Sequence, residues 1–585
     1  MSVNRKIFGL ASSAIVFAGM AYGQSAALSC TPGPTSPTNP IELRAEGATE
    51  LVSDTTTVCT GTATTIQGNV TAFISGSGVQ WITSKGLTGG VSEAILSIID
   101  NTGSLTPNAT VYYYGIISGS QITWGTSATP VKFPTYNFII QTSNVRVNVT
   151  GTYPSVPQAV TETVFAGTQG VASLFNPTAV TVGYIRNGLA VNGVATPVYT
   201  GAGSSTAGTA GAGVSFPVCQ GQTAQGFTVT VTELFAGAFK TQTPAATGVA
   251  PYGLTPASAN IPGSESGSLI ASVANGLTAG VGTANNGTRI KFVFGNIPTN
   301  VTLTVPLTLQ VGLISGTNYN LSLGLTSGGE TGAFAQATSG TLTGPSATAI
   351  YEVTQANLTV IKSFTLPVTV TYSSNAVTAP SGPITVVTSY SESPATPGAA
   401  LPNPLPTIPY FANTGTVLNG ATFAVCQTTL LFPFVTNQSG FETGIAIANT
   451  GLDNLGAKSA SVATGQSGAC TITFYGSTGA EGGTQPTAPT AANFPSATSK
   501  PTTSIAPGTT HADTLTDVAG GPFQGYAIAV CPFLYARGFA FIEFGLATSN
   551  GVVEGYLADV INSNRTSSVA ANAQVLSNFP ESSGH

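Results

Sequence analysis

Residues 428–450 read TTLLFPFVTNQSGFETGIAIANT, and the fold class follows from how this stretch is parsed. Leu430, Phe432 and Phe434 point one way, and Leu431, Pro433 and Val435 the other, so both faces are apolar. A strand buried on both sides has that composition, with Pro433 asking for an edge or a bulge because it cannot donate to a ladder. TNQSG at 436–440 is a run of turn formers, and GIAIA at 444–448 is a second strand. Runs of the same kind follow: CTITFY (470–475), GYAIAVCPF (525–533), GFAFIEF (538–544) and GYLADVI (555–561). About seven short strands separated by Gly, Pro and Asn suffice to close a β-sandwich, which predicts one over residues 426–561.

The rest of the chain has the same character. Charged residues are 6% of the 585, against roughly a quarter in an average soluble protein. Gly 70 and Pro 37 place turns throughout, while Thr and Val favour pleated, half-buried surfaces. FTVTVT (227–232), VTLTVPLTL (301–309) and LPVTVTY (366–372) alternate with threonine on the wet side. In VRVNV (145–149) the valines are expected inward, with Arg146 and Asn148 outward. The class is all-β: tandem antiparallel β-sandwich (Ig-like) domains with Pro/Gly/Thr-rich linkers. The expected division is a signal peptide at 1–23, an extended lead-in at 24–40, an N-terminal sandwich at 41–213 and a middle sandwich at 219–392. A Pro-rich linker at 393–425, the C-terminal sandwich at 426–561 and a disordered tail at 562–585 complete it.

Arg5 and Lys6, the apolar segment 7–20 and Ala21-Tyr22-Gly23 make a secretory signal, with an apolar part short of a membrane span. A lipoprotein site at Cys30 fits poorly, because Ala27-Leu28-Ser29 lies well past the apolar centre. No transmembrane segment is expected after cleavage, and the address is secreted or cell-surface. Six cysteines in an exported chain point to three disulfides. Cys30 with Cys59 would staple the N-terminus, and Cys470 with Cys531 would join two C-terminal strands. Cys219 with Cys426 follows by elimination. Net charge is −6 with neither sign clustered, so there is no basic stripe for nucleic acid.

Chemistry-bearing groups are few. Residues 41–61 hold Arg44 with Glu42, Glu46, Glu50 and Asp54, a local concentration that resembles a cation site. The expected reading is strand–turn–strand around Glu46-Gly47, with the charges solvated and Arg44 paired locally. Trp81, Tyr112, Tyr113, Tyr114 and Trp124 are candidates for a sugar-stacking platform, against an ordinary role as core and edge residues. His511 with Asp513 two residues on is a fragment of a triad without a Gly-x-Ser-x-Gly nucleophile. A hydrolytic carboxylate pair would draw on Glu442, Asp453, Glu543 and Glu554, with Glu543 expected to pair with Arg537. No catalytic residue, cofactor site or metal site is assigned.

LRAEGATELVSD (43–54) ahead of Cys59-Thr60-Gly61, and LLFPFVTNQSGFETGIAIANTG (430–451) with GACTITFYG and FQGYAIAVCPFLYARGFAFIEF, resemble modules of uncharacterised exported β-rich bacterial proteins. The resemblance implies export and module boundaries, and brings no activity and no site residue with it. The functional expectation is therefore a non-catalytic exported protein, a structural or adhesive component of a surface, matrix or appendage. Self-association or surface glycans are the expected partners. The alternatives are a carbohydrate-binding multi-domain protein and a secreted hydrolase using a carboxylate pair.

Overall fold

The computed structural model describes residues 28–32, 40–60, 65–100, 111–151, 153–168, 173–175, 178–194, 214–218, 226–242, 264–267, 282–373, 382–424, 427–452, 466–477, 490–494, 504–519, 521–544 and 551–561. The signal peptide, the Cys219–Cys426 pairing, Asp453 and the tail at 562–585 lie outside the described residues. Strands dominate, and one short helix, Leu515–Ala519, is described. Among the described strands pairing is antiparallel apart from three parallel contacts, Leu28–Pro32 with Ser173–Phe175, Val180–Arg186 with Ile41–Arg44, and Val214–Pro217 with Ala421–Ala424, and the isolated bridge of Thr241 with Ser264 is parallel too.

Three hydrophobic cores organise the described strands. The first lies against a 12-stranded sheet that runs from Ser173–Phe175 to Ile41–Arg44. A small sheet of Glu50–Leu51, Arg146–Asn148 and Trp81–Ile82 stands beside it. The second core lies between a five-stranded and a six-stranded sheet. Its strands show why the sequence folds this way. In Gly226–Glu233 the residues Phe227, Val229 and Val231 are buried, while Thr228, Thr230 and Thr232 face outward. The outward hydroxyls pair across the ladder, Thr230 with Thr365 at 3.1 Å and Thr232 with Ser363 at 2.8 Å.

Two stretches join this second core from ranges read otherwise in the sequence. Leu189–Val194 pairs with Gly226–Glu233, and Thr416–Asn419 pairs with Thr385–Ser391. Ile408, Tyr410 and Phe411, in the stretch read as a spacer, are buried. Their apolar side chains are covered by both neighbouring units, which a free linker would leave in water.

The third core separates a five-stranded sheet, which includes Thr428–Thr436, from a four-stranded one, which includes Phe441–Asn449. The two halves of the 428–450 stretch therefore face each other across the core in different sheets. Pro433 sits where the register shifts between Phe432 and Val435, and this bulge turns Phe434 out to solvent. Cys30 is bonded to Cys59 and Cys470 to Cys531, in each case between antiparallel neighbours.

Candidate functional site

The acidic segment near the N-terminus is not solvated. Arg44, Glu46, Glu50 and Asp54 are all buried, because the turn they form is pressed between the first core and residues 264–267 and 408–413. Arg44 does pair locally, Nη2 lying 2.7 Å from Glu50 Oε1. It also reaches across the chain: Nη1 and Nη2 donate to the two oxygens of Glu265 at 2.7 and 2.9 Å. Nη1 further donates to the Ala238 carbonyl and to Thr288 Oγ1. The guanidinium lies over the Phe411 ring at 4.7 Å and the Tyr390 ring at 5.6 Å.

Burial alone would push the Glu265 carboxyl up, but Arg44 outweighs it and holds the group below the usual carboxylate range. Glu46 has no such partner at contact distance. Burial raises its carboxyl, although the Gly188 N–H donates to both its oxygens. Burial also lowers the Lys240 amine, with Arg44 adding to the effect.

Arg146 and Asn148 are likewise buried, not outward. Arg146 is covered by residues 264–267: its Nη2 donates to the Glu265 carbonyl at 2.8 Å, while Nε donates to Glu93 at 2.9 Å. These groups lock two units together. Asn148 bonds within the first unit, its amide N–H to Gln80 and its Oδ1 accepting from Thr150.

The five platform candidates are not brought onto one surface. Trp124 is 0% exposed, and its indole N–H donates to the Ala94 carbonyl at 3.1 Å. Tyr113 packs against the first core and accepts the Lys132 N–H. Tyr112 and Tyr114 alternate with it on the opposite side of Val111–Ser118, half-buried, and Trp81 is half-buried in the small sheet. Period-2 alternation alone sends three consecutive tyrosines to two faces. His511 and Asp513 occupy Thr510–Thr514 opposite Ile447 and Ile445, and Asp513 is buried.

An exposed apolar surface among the described residues lies on the C-terminal four-stranded sheet. Along Ala536–Phe544 the residues Phe539, Phe541 and Glu543 point away from the core, and Ala536, Gly538 and Ala540 point into it. Phe541 has small cross-strand partners on that outer face, Gly444 on one side and Gly555 on the other, and Phe539 lies between Ala446 and Leu557. A Cβ at Gly444 would fall 2.0 Å from the Phe541 ring, so the ring packs directly on the glycine backbone. A Cβ at Gly555 would meet the Phe539 ring at 2.5 Å. The two phenyl rings stack at 6.3 Å, and Phe539 is 41% exposed.

Glu543 and Glu442 sit directly opposite each other at one end of this face. Glu442 accepts from the Thr516 N–H and hydroxyl. Among the described residues the sheet ends in Val552–Leu557, which pairs there with Ala536–Phe544 alone, with Leu557 77% exposed at one end and Val552 and Val553 exposed at the other. Around this edge, a groove of about 360 Å³ opens between Phe434, Phe441, Gln438, Gln524, Val552 and Glu554. The signal for this face was present in the sequence as GFAFIEF opposite ETGIAIA, an aromatic series facing a glycine–alanine series.

No protein-family model matches the sequence, and no curated protein matches it. Among solved structures, the chain is similar to a tip adhesin from Pseudomonas aeruginosa at 8% identity, covering 68% of this chain and 96% of that one, with a TM-score of 0.14. A second is a putative membrane anchored protein from Corynebacterium diphtheriae, at 9% identity, covering 89% of each chain, with a TM-score of 0.15. Among the described residues no helix is long and apolar enough to cross a membrane.

Proposed function

We propose that this chain is an exported, non-catalytic surface protein that adheres or assembles through the outer face and open edge of its C-terminal sheet. The observation that carries the reading is the flat pair Phe539 and Phe541 on Gly444 and Gly555, continuous with the exposed apolar edge strand Val552–Leu557. Contiguous exposed apolar surface on a β-sheet marks contact with another body, and an edge strand of this kind offers unpaired backbone groups to it. Disulfides and a sparsely charged exterior support the extracellular address. The test uses residues 24–585 under oxidising conditions, by negative-stain microscopy and by retention on cells and matrix. Ordered assemblies or retention are expected, and both should fall when Phe539 and Phe541 are changed together to Ala. Dispersed monomers without retention, identical to the double variant, would refute the reading.

A second reading, carbohydrate binding, draws on the same face. Exposed rings flanked by Glu442 and Glu543 present a stacking surface with hydroxyl acceptors, in place of the first-unit aromatics. A glycan array with the wild type and the double variant tests it, and absence of any ring-dependent hit removes it.

A further inference from the structure

The alternation that builds the middle five-stranded sheet carries two charges into its core. In Gly226–Glu233 the inward series is Phe227, Val229 and Val231, and its next member is Glu233. In Ser363–Thr371 the inward series is Phe364, Leu366, Val368 and Val370, and the residue that precedes it in step is Lys362. The strands are antiparallel neighbours with Thr232 opposite Ser363, and the Glu233 N–H donates to the Lys362 carbonyl. The two inward side chains therefore meet. Lys362 Nζ lies 2.7 Å from Glu233 Oε1, with both side chains buried.

The surroundings are those of a reaction site as much as of an ion pair. Oε1 has no aligned hydrogen bond despite the close amine. Nζ donates to the carbonyls of Asn357 at 2.6 Å and Val360 at 3.1 Å, which fixes its direction. Oε2 accepts the Phe239 N–H at 3.2 Å. Burial raises the Glu233 carboxyl to about 7, opposed by Lys362, and burial lowers the Lys362 amine, opposed by Glu233. Low polarity brings the neutral acid–amine pair within reach. With a C–O bond of about 1.2 Å, an amine this close to Oε1 stands within about 4 Å of Cδ. Such positioning replaces a bimolecular encounter.

We propose that Lys362 and Glu233 condense to an amide, a self-generated cross-link between these neighbouring strands. A proton passes from the ammonium to the carboxylate. The Nζ lone pair then adds to Cδ, and charge developing on Oε2 faces the Phe239 N–H. The Cδ–Oε1 bond breaks, and Oε1 departs as water with the carboxyl proton and one proton from nitrogen. One N–C bond forms and one C–O bond breaks, with no change of oxidation state and no co-reactant. In water the ionised pair opposes condensation, whereas this apolar site destabilises that pair. The inference stands apart from the adhesive reading and needs no ligand.

The experiment is intact-mass spectrometry of the purified chain, reduced and denatured, with its N-terminus assigned from the terminal peptide. The wild type is expected to be lighter than its sequence mass by one water, and digestion should yield a branched peptide joining residues 233 and 362. Lys362→Met should restore the full mass. A wild type at full sequence mass overturns the proposal, and so does a water loss that maps elsewhere or persists in Lys362→Met. The wild-type mass decides the matter even if the variant fails to fold.

Discussion

Replacing Arg44 with Met tests the interlock between the first two cores most sharply. The methionine fills much of the arginine stem's volume but removes every charged contact. It deletes the paired donation to Glu265 at 2.7 and 2.9 Å, the contact with Glu50 at 2.7 Å, and the stacking on Phe411 at 4.7 Å. Two buried carboxylates are left facing each other, with Lys240 still acting on Glu265 and Arg146 held on its backbone carbonyl. Breaking a buried pair from one side costs about 3–5 kcal/mol, and the lost ring contact adds to the upper end. An expected loss of about 4 kcal/mol is roughly three powers of ten in the folded-to-unfolded ratio.

Trp81 and Trp124 are the chain's two tryptophans, and both lie in the first unit, so tryptophan fluorescence in denaturant reports that unit by itself. The effect should depend on pH. Glu265 has a folded-state carboxyl held below the usual range, so its contribution is present above about 4.5 and is lost as pH falls through the folded value. The gap between wild type and Arg44→Met should therefore be widest near pH 8 and shrink at acidic pH. A loss below about 1 kcal/mol, or one that does not vary with pH, would refute the interlock.

Glu162 is buried, accepts from Thr142 Oγ1 at 3.2 Å, and burial raises its carboxyl to about 7. It stays protonated in the fold but ionises in the unfolded chain between about 4.5 and 7, so stability falls as pH rises through that window. Glu162→Gln should then stabilise the first unit by about 2–3 kcal/mol at pH 8 and by almost nothing at pH 4, by the same fluorescence assay. Gly444→Val places a side chain where a Cβ alone would fall 2.0 Å from the Phe541 ring, and calorimetry should show the C-terminal unit losing about 2 kcal/mol as the ring is displaced. Replacing Cys470 and Cys531 together with Ser opens a link across a separation of 61 residues, with an expected loss of about 4 kcal/mol in the same transition. An unchanged transition in either variant would contradict the packing described for the third core.

The all-β class, the alternation and the bulge at Pro433 were legible because each follows from spacing and chemistry within one strand. What the sequence concealed was the other side of a strand. Arg146 and Asn148 occupy outward positions of a regular alternation, and nothing in VRVNV announces that residues 264–267, more than a hundred positions later, will cover Arg146, or that Gln80 will meet Asn148. The acidic segment at 41–61 misled for the same reason, since Arg44 finds Glu265 at a separation of 221 residues. Glu233 and Lys362 were legible in principle. Each continues the inward step of a Val/Thr or Phe/Leu series, and following the period one residue past the apolar run would have placed both in the core. For Trp81, Tyr112, Tyr113, Tyr114 and Trp124 residue type alone leaves platform and core-or-edge roles both open, whereas alternation sends Tyr113 inward and Trp124 is buried completely. The face formed by Phe539 and Phe541 needed a pairing register, which gave those rings their glycine neighbours.

A chain with so few charges keeps many of them inside, and the strands themselves give the reason. Series such as FTVTVT and LPVTVTY look alike when slid by two residues, because valine still faces in and threonine still faces out. Apolar burial alone distinguishes such registers weakly. A buried charge distinguishes them strongly, since a slip of two leaves it without its partner in a medium where an unpaired ion costs several kcal/mol. Arg289 stands directly opposite Glu352 with their side chains 2.7 Å apart, and Glu233 meets Lys362 in the neighbouring sheet as an ion pair until the two condense. Each pair marks one alignment of two otherwise repetitive strands. Arg44 with Glu265 does the same one level up, joined by Arg146 on the Glu265 carbonyl, fixing how the first unit seats on the second. The sparse charges thus set register and docking from within, which frees the exterior of the C-terminal sheet to remain apolar and open to contact.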